Sequence, residues 1–358
     1  MKTKIYTLIL LISTITFFNS CSDDENNLPT PDEYVDAQTF FEEIDFRGSV
    51  LISKNSGDIL RTGFGEANKS AGTLNDMDTK FRIGSVSKTL TGMGIVQLKR
   101  DGLINGFDQL LSDFDAGFPH GNEITIRHLL SHQSGIPDYL PMVEPEAKSG
   151  QQFVAEDIYE LIKTYLAENN LDFVPGSSVS YSNSNFIMAA LLIENLSGKT
   201  YEDYIKSNVL TPLNMNDTEM GTDTISGEEY AQGYNGNTNV SIYPMDVAFG
   251  AGCWTSTVND LEKWCSAVMG DNWFSADEKE AVFGGDVPEG TTKFGLGWFN
   301  STVGGKTFYW HGGDIDGFAS LIGFVPESNG IIVTLSNQQD DTGEKRNLII
   351  ETIVTKEL

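Results

Sequence analysis

Basic residues are scarce in this chain: 23 Lys and Arg stand against 51 Asp and Glu over 358 residues, a formal net charge of -28. So negative a surface repels a phosphate backbone, which excludes nucleic acid as a natural partner. Histidine and cysteine are scarce too, with four and three copies, and none of the Cys/His spacings of a structural zinc site occurs. His128 and His132 are four apart, but the segment reads His-Leu-Leu-Ser-His, without the glutamate of an H-E-x-x-H metal hydrolase. We therefore expect no metal and no cofactor. No run of apolar residues is long enough for a convincing membrane span; the longest, Ile5 to Phe18, falls short of the thickness of a bilayer.

What is present starts with that run. Lys2 and Lys4 precede it, and Phe18-Asn19-Ser20-Cys21 closes it. Positive residues, a short apolar stretch and a small residue before cysteine resemble the signal peptide and lipobox of bacterial lipoproteins. The alternative is an ordinary secretory signal. The lipobox resemblance implies a signal peptide over 1–20, acylation of Cys21 and an extracytoplasmic, lipid-anchored protein. Ser22-Asp23-Asp24-Glu25 and the prolines at 29 and 31 make 21–34 an acidic tether. Cys253 and Cys265 then remain in the body, either as a disulfide or as two buried thiols.

The body, 35–358, has strand-like segments at its ends and helical periodicity between them. Gly48 to Ser53 and Ile59 to Phe64 flank the turn Asn55-Ser56-Gly57-Asp58 and read as a hairpin. Lys306 to Trp310, Ala319 to Val325 and Ile331 to Ser336 are three further strands with short connectors, which favour antiparallel neighbours. A last helix is expected over Arg346 to Val354. Helices are also expected over Val86 to Arg100 and over 126–132, 153–168, 184–197, 201–208 and 258–269. The expected fold is α+β: a five-stranded antiparallel sheet flanked by helices, with a helical lobe inserted at about 101–240.

Three short segments can carry chemistry. In Ser85-Val86-Ser87-Lys88 the serine and lysine are three apart at a helix start, so they share one face. A serine hydroxyl needs a neighbouring base, and a partly buried lysine can become one. Tyr181-Ser182-Asn183 offers a phenol for proton transfer and an amide for orientation. His311-Gly312-Gly313-Asp314 follows a strand, and its glycines admit a close-lying substrate. Taken singly, each also reads as a helix cap, a polar loop or a tight turn.

Together, in this order, they resemble the S-x-x-K, Y-x-N and H-x-G elements of the penicillin-binding protein and β-lactamase superfamily, in the branch of class C β-lactamases, D-alanyl-D-alanine carboxypeptidases and related esterases. Phe81-Arg82-Ile83-Gly84, Ile126 to Gly135, Gly250-Ala251-Gly252, Gly295-Leu296-Gly297-Trp298 and Gly317-Phe318 extend the resemblance over roughly 40–355. It implies a β-lactamase/transpeptidase-like fold and a serine hydrolase acting through an acyl-enzyme on an amide or ester. A D-amino-acid-containing peptide, an ester or a β-lactam would be the small-molecule or peptide substrate. Ser85 would be the acylated nucleophile, Lys88 its base and Tyr181 the proton shuttle. Asn183 would bind the substrate amide, and the backbone N–H groups of Ser85 and Asp314 would hold the oxyanion beside Gly313. His311 stands where many relatives carry lysine; mostly neutral near pH 7, it weakens the case for a carboxylate-bearing substrate. Asp314 is expected to repel an anionic one. The alternative function is a surface lipoprotein that keeps the hydrolase fold only to bind peptides or glycans.

Overall fold

The computed structural model describes residues 33–285, 288–289 and 292–358. The expected signal peptide, Cys21 and nearly all of the tether lie outside them. Ten α-helices are named in chain order: α1 (Ala37–Glu43), α2 (Ser87–Arg100), α3 (Ile126–Leu130), α4 (Leu140–Lys148), α5 (Ala155–Glu168), α6 (Ser184–Ser197), α7 (Tyr201–Ile205), α8 (Val258–Met269), α9 (Ala276–Phe283) and α10 (Glu344–Lys356). The strands of the main sheet are β1 (Gly48–Lys54), β2 (Gly57–Phe64), β3 (Pro288–Glu289), β4 (Thr292–Phe294), β5 (Phe299–Val303), β6 (Lys306–Ile315), β7 (Phe318–Val325) and β8 (Gly330–Ser336).

The sheet runs β3-β4-β5-β6-β7-β8-β1-β2, antiparallel throughout. The five expected strands are its contiguous part β6-β7-β8-β1-β2. The expected count of five falls short: seven strands have three residues or more, and β3 adds a two-residue edge. The added strands are short, and β5 is Phe-Asn-Ser-Thr-Val with one fully buried residue, so it lacks the apolar pattern that marks a strand. α4 was also invisible, because Pro141 and Pro145 interrupt its helical reading. Pro141 sits in the first turn, where its missing N–H is harmless, and Pro145 removes one hydrogen bond from a helix that packing sustains.

Every residue of β7 and β8 is buried, because helices cover both faces. Alternate side chains sort to opposite sides. Val50, Ile52, Leu321 and Ile332 meet Phe40 and Phe41 of α1 and Ile349 and Ile353 of α10. Leu51, Ile322, Phe324 and Val333 join the larger core with Leu90 and Met93 of α2 and Trp264 of α8. α6 is buried on all sides from Ser184 to Ile193. Its Phe186, Ala189 and Ile193 enter that larger core, whereas Ile187 and Leu191 pack into a third cluster with Leu129, Tyr139, Val143 and Ile158. A helix wedged between two cores cannot shift without opening a cavity in one of them, so the residues at its start are held firmly.

Cys253 and Cys265 are free and buried, which resolves the choice in favour of thiols. Burial pushes both thiols up in pKa, Cys253 to about 12. Alkylation of non-reduced protein followed by peptide mapping should therefore modify neither cysteine in the native state and both after denaturation; a linked peptide pair would contradict the structure.

Candidate active site

Strand pairing, helix start and two glycines bring the expected residues together. Phe81–Arg82 pairs with Trp254–Ser256, and Ile83 N–H donates to Trp254 O at 3.0 Å. Gly84 then takes a left-handed φ of +48° and turns the chain into α2. From Phe81 to Val96, Ser85 is the one residue that is not fully buried. Further bonds fasten the turn: Ser320 Oγ donates to Ile83 O at 2.7 Å, and Trp254 N–H to Ser87 Oγ at 3.1 Å.

On the sheet side, β5 stops pairing at Phe299–Trp310, so His311–Ile315 present an edge without a strand neighbour. That edge meets the Ser85 turn at a separation only glycine allows. A Cβ on Gly313 would lie 2.1 Å from Ile83 O and 3.0 Å from Ser85 N; one on Gly84 would lie 2.9 Å from Asp314 N. The amides of Ser85 and Asp314 thus share a neighbourhood, the requirement for a two-donor oxyanion site.

Beneath the serine, Lys88 Nζ donates to Ser85 Oγ (3.1 Å), Asn183 Oδ1 (2.7 Å) and Ala251 O (2.7 Å). The lysine is 0 % exposed, and burial pushes its pKa down to about 7, against the pull of Asp138 and Cys253. Tyr181 hydrogen-bonds Ser85, and Lys88 Nζ lies 5.0 Å from the centre of its ring. With 37 % of its surface exposed, Tyr181 is only partly removed from water. Lost hydration nevertheless raises its pKa, so the phenol keeps its proton in the free protein.

His311 is 1 % exposed and stacks on Phe299 at 4.3 Å between ring centres. Its Nδ1 is 2.6 Å from Gly312 O. A carbonyl only accepts, so Nδ1 carries the proton and Nε2 is a bare acceptor. Burial and then the charge of Lys88 lower the pKa to about 3, so the imidazole is neutral at any working pH. The carboxylate of Asp314 forms an ion pair with Arg346 of α10, through Nη2 to Oδ1 and Nη1 to Oδ2. The expectation that Asp314 repels an anionic substrate is therefore corrected: its charge is balanced by a residue 32 positions away.

Three residues here went unrecognised in the sequence. Arg346 reads in the sequence only as the start of a helix. Asp138 accepts from Asn183 Nδ2 at 2.9 Å, and only the fold brings their loops together. His132 is four residues from His128, but α3 ends at Leu130 and His132 has a left-handed φ of +57°. Its Nδ1 accepts from Ser182 N–H at 3.1 Å, and its ring stacks against Tyr181 at 4.2 Å, so it supports the tyrosine. His128 helps close the capping box of α3 instead.

The Beta-lactamase family model matches residues 38–353, most of the chain. The chain belongs to the beta-lactamase family. It is 29 % identical over 330 residues to Penicillin-binding protein 4* of Bacillus subtilis, covering 85 % of this chain and 72 % of that one. Its fold resembles a penicillin binding protein from Bacillus halodurans, with TM-score 0.73, 26 % identity and coverage of 87 % of this chain and 96 % of that one. A D-amino acid amidase from Ochrobactrum anthropi, solved with D-phenylalanine, shares the fold at TM-score 0.74 and 22 % identity, covering 86 % and 93 % of the two chains. As a member of the family, the chain is a serine hydrolase that works through an acyl-enzyme.

Because Gly313 sets the gap between strand and serine, Gly313→Ala should lower kcat/KM by about 100-fold or more, as misplacements near 1 Å do. It should also destabilise the protein by about 1–3 kcal/mol through overpacking. Steady-state kinetics and chemical denaturation measure the two effects, and wild-type activity would show that the contact is not needed.

Proposed function

We propose that this protein hydrolyses the amide or ester bond of D-amino-acid-containing substrates, with Ser85 as nucleophile and Lys88 as the base that activates it. The observation that carries this reading is the contact between Ser85 Oγ and a fully buried Lys88 whose pKa lies near 7. As a neutral amine, Lys88 can donate two hydrogens to Asn183 Oδ1 and Ala251 O and turn its lone pair to the Ser85 proton. The Ser85 oxygen attacks the substrate carbonyl, and the N–H groups of Ser85 and Asp314 receive the charge that develops on its oxygen. Neutral Tyr181, bonded to Ser85, passes a proton to the leaving group and then takes one from the water that deacylates the enzyme. Asn183 holds Lys88 and contacts the substrate amide.

The charges of the cleft bear on the substrate class. His311 is neutral, and Arg346 is committed to Asp314 and to Gly313 O at 3.1 Å. Neither offers an unbalanced cation to a free carboxylate, which favours amides and esters over substrates ending in one. The similarity to penicillin-binding proteins and to a D-amino acid amidase of the same fold supports this range.

Ser85→Ala should abolish covalent labelling by a fluorophosphonate and all turnover. Tyr181→Phe should slow both acylation and deacylation by about 100-fold or more. Wild-type acylation should rise with pH through about 7, since Lys88 accepts a proton only after losing its own. Across a panel of D-amino-acid amides, p-nitrophenyl esters, nitrocefin and D-Ala-D-Ala peptides, kcat/KM should be highest for the substrates that carry no free carboxylate. Chelators should change nothing. Undiminished activity in Ser85→Ala would require another nucleophile.

We infer also that Cys21 is acylated and anchors the protein to a bacterial membrane outside the cytoplasm, facing the periplasm or the cell surface. The support is Ser20-Cys21 directly after a positive and apolar leader. In Triton X-114 phase separation the full-length product should enter the detergent phase and Cys21→Ala the aqueous one; a wild type found in the aqueous phase rules the anchor out.

A further inference from the structure

We propose that Asp138 is a positioning residue for the reaction: it fixes which way the Asn183 amide points and thereby holds Lys88 in place beneath Ser85. The proposal rests on the reading of Lys88 as base, and goes beyond it to the residue that keeps the base in register.

The geometry comes first. Asp138 Oδ1 accepts from Leu140 N–H at 3.1 Å and from Asn183 N–H at 3.3 Å, which ties the carboxylate to the start of α4 and to the loop before α6. Its Oδ2 accepts from Asn183 Nδ2 at 2.9 Å, and Asn183 Oδ1 accepts from Lys88 Nζ at 2.7 Å. An amide side chain can sit in its socket in two ways. A carboxylate only accepts, so it selects the orientation that turns Nδ2 toward itself and Oδ1 toward the lysine. The opposite orientation would set Nδ2 against Nζ, donor to donor. It would strip Lys88 of one of its three acceptors in a site that solvent does not reach.

Charge follows from the same placement. The groups that surround Nζ come from several elements: Ser85 on its own turn, Tyr181 and Asn183 before α6, Ala251 and Cys253 from the segment ahead of Phe81's strand partner, His132 after α3 and His311 on β6. Both histidines are held neutral, and Cys253 and Tyr181 are protonated because burial raises them. Asp138 is the carboxylate that acts on Lys88 and favours its ammonium form. Desolvation pulls Lys88 down and Asp138 pulls it partway back. The balance leaves a base that titrates near neutrality, where both charge states are within reach.

The test is the pH dependence of Ser85 phosphonylation by a fluorophosphonate, which releases fluoride, measured from pH 5 to 9 on full-length wild type, Asp138→Asn and Asp138→Glu, with thermal melting as the folding control. Removing the negative charge makes the ammonium harder to keep, so in Asp138→Asn the acid limb should move to lower pH by about one unit. The amide orientation is no longer dictated, so the plateau should fall about 10- to 100-fold. Asp138→Glu keeps the charge and should return the limb toward the wild-type position at a reduced plateau. A purely structural role would lower the plateau and leave the limb where it was, and that outcome overturns the proposal. Should Asp138→Asn not fold, Asp138→Ser carries the same expectation, since its hydroxyl can still cap Leu140 N–H. Labelling that survives Ser85→Ala, or a wild type without a limb near pH 7, would instead overturn the reading of Ser85 and Lys88, and the role of Asp138 with it.

Discussion

The Nζ of Lys88 lies entirely out of solvent, and an ammonium in that position must be given acceptors or surrender its proton. Three acceptors meet it, one each from the nucleophile turn, from the residue before α6 and from the backbone at Ala251. These lie far apart in the chain, so the lysine is satisfied only if all three pieces assemble. Much of the local architecture reads as the means of assembly. α6 is wedged between two cores; Gly250, at φ +67°, lets the Ala251 segment close on Phe186 and Ala190; and Thr91 Oγ1 donates to Gly250 O at 2.6 Å to hold it there. The chemistry of one base is thus tied to the packing of a whole lobe against the sheet.

The second constraint is backbone proximity. The serine turn and the free edge of β6 approach more closely than any two residues with side chains could, and glycine occupies both sides of the contact at Gly84 and Gly313. α2 is fastened from below in the same manner: a Cβ on Gly92 would come within 2.5 Å of Leu296 O, and one on Gly297 within 2.6 Å of Lys88 O. Scattered along the chain, these glycines are four points where two backbones meet around one helix. They convert a sheet edge and a helix start into a rigid pair of walls, which is what orientation of a reacting carbonyl requires.

The difference between what the chain disclosed and what it concealed follows from the range of each signal. Ser85 and Lys88 were legible because their relation is local, three residues on one helix face. The strands β7, β8 and β1 were legible because burial on both faces leaves long apolar runs, and β2 was legible through the turn that joins it to β1. Tyr181, Asn183 and His311 were legible as a set, through order and resemblance, although none would have stood alone. Asp138 was not, because nothing in Ile-Pro-Asp-Tyr distinguishes a carboxylate that orients an amide 45 residues away from one that begins a turn. The same holds for Arg346, whose partner Asp314 is met only after α10 folds back over the sheet. β5 and α4 were missed for another reason: their local patterns, half-polar in one and proline-broken in the other, are overruled by tertiary contacts.

Those concealed pairings change the character of the cleft. Read as a string, the site holds a lysine, a histidine, an aspartate and a distant arginine, which invites an account based on attraction and repulsion of charge. Folded, the arginine cancels the aspartate, the histidine is neutral, and Lys88 lies close to its own titration point under the opposing effects of burial and Asp138. With Arg346 and Asp314 paired and His311 neutral, these three groups exert little net Coulombic preference on a ligand. Discrimination then falls to hydrogen-bond directionality and to the shape of the gap between β6 and the Tyr181–Asn183 loop, beside which His311 is a buried neutral ring rather than a cation. A site of this kind selects a substrate by where its donors and its carbonyl lie, and a bond between amino-acid units of one hand is the sort of target that such selection can tell apart.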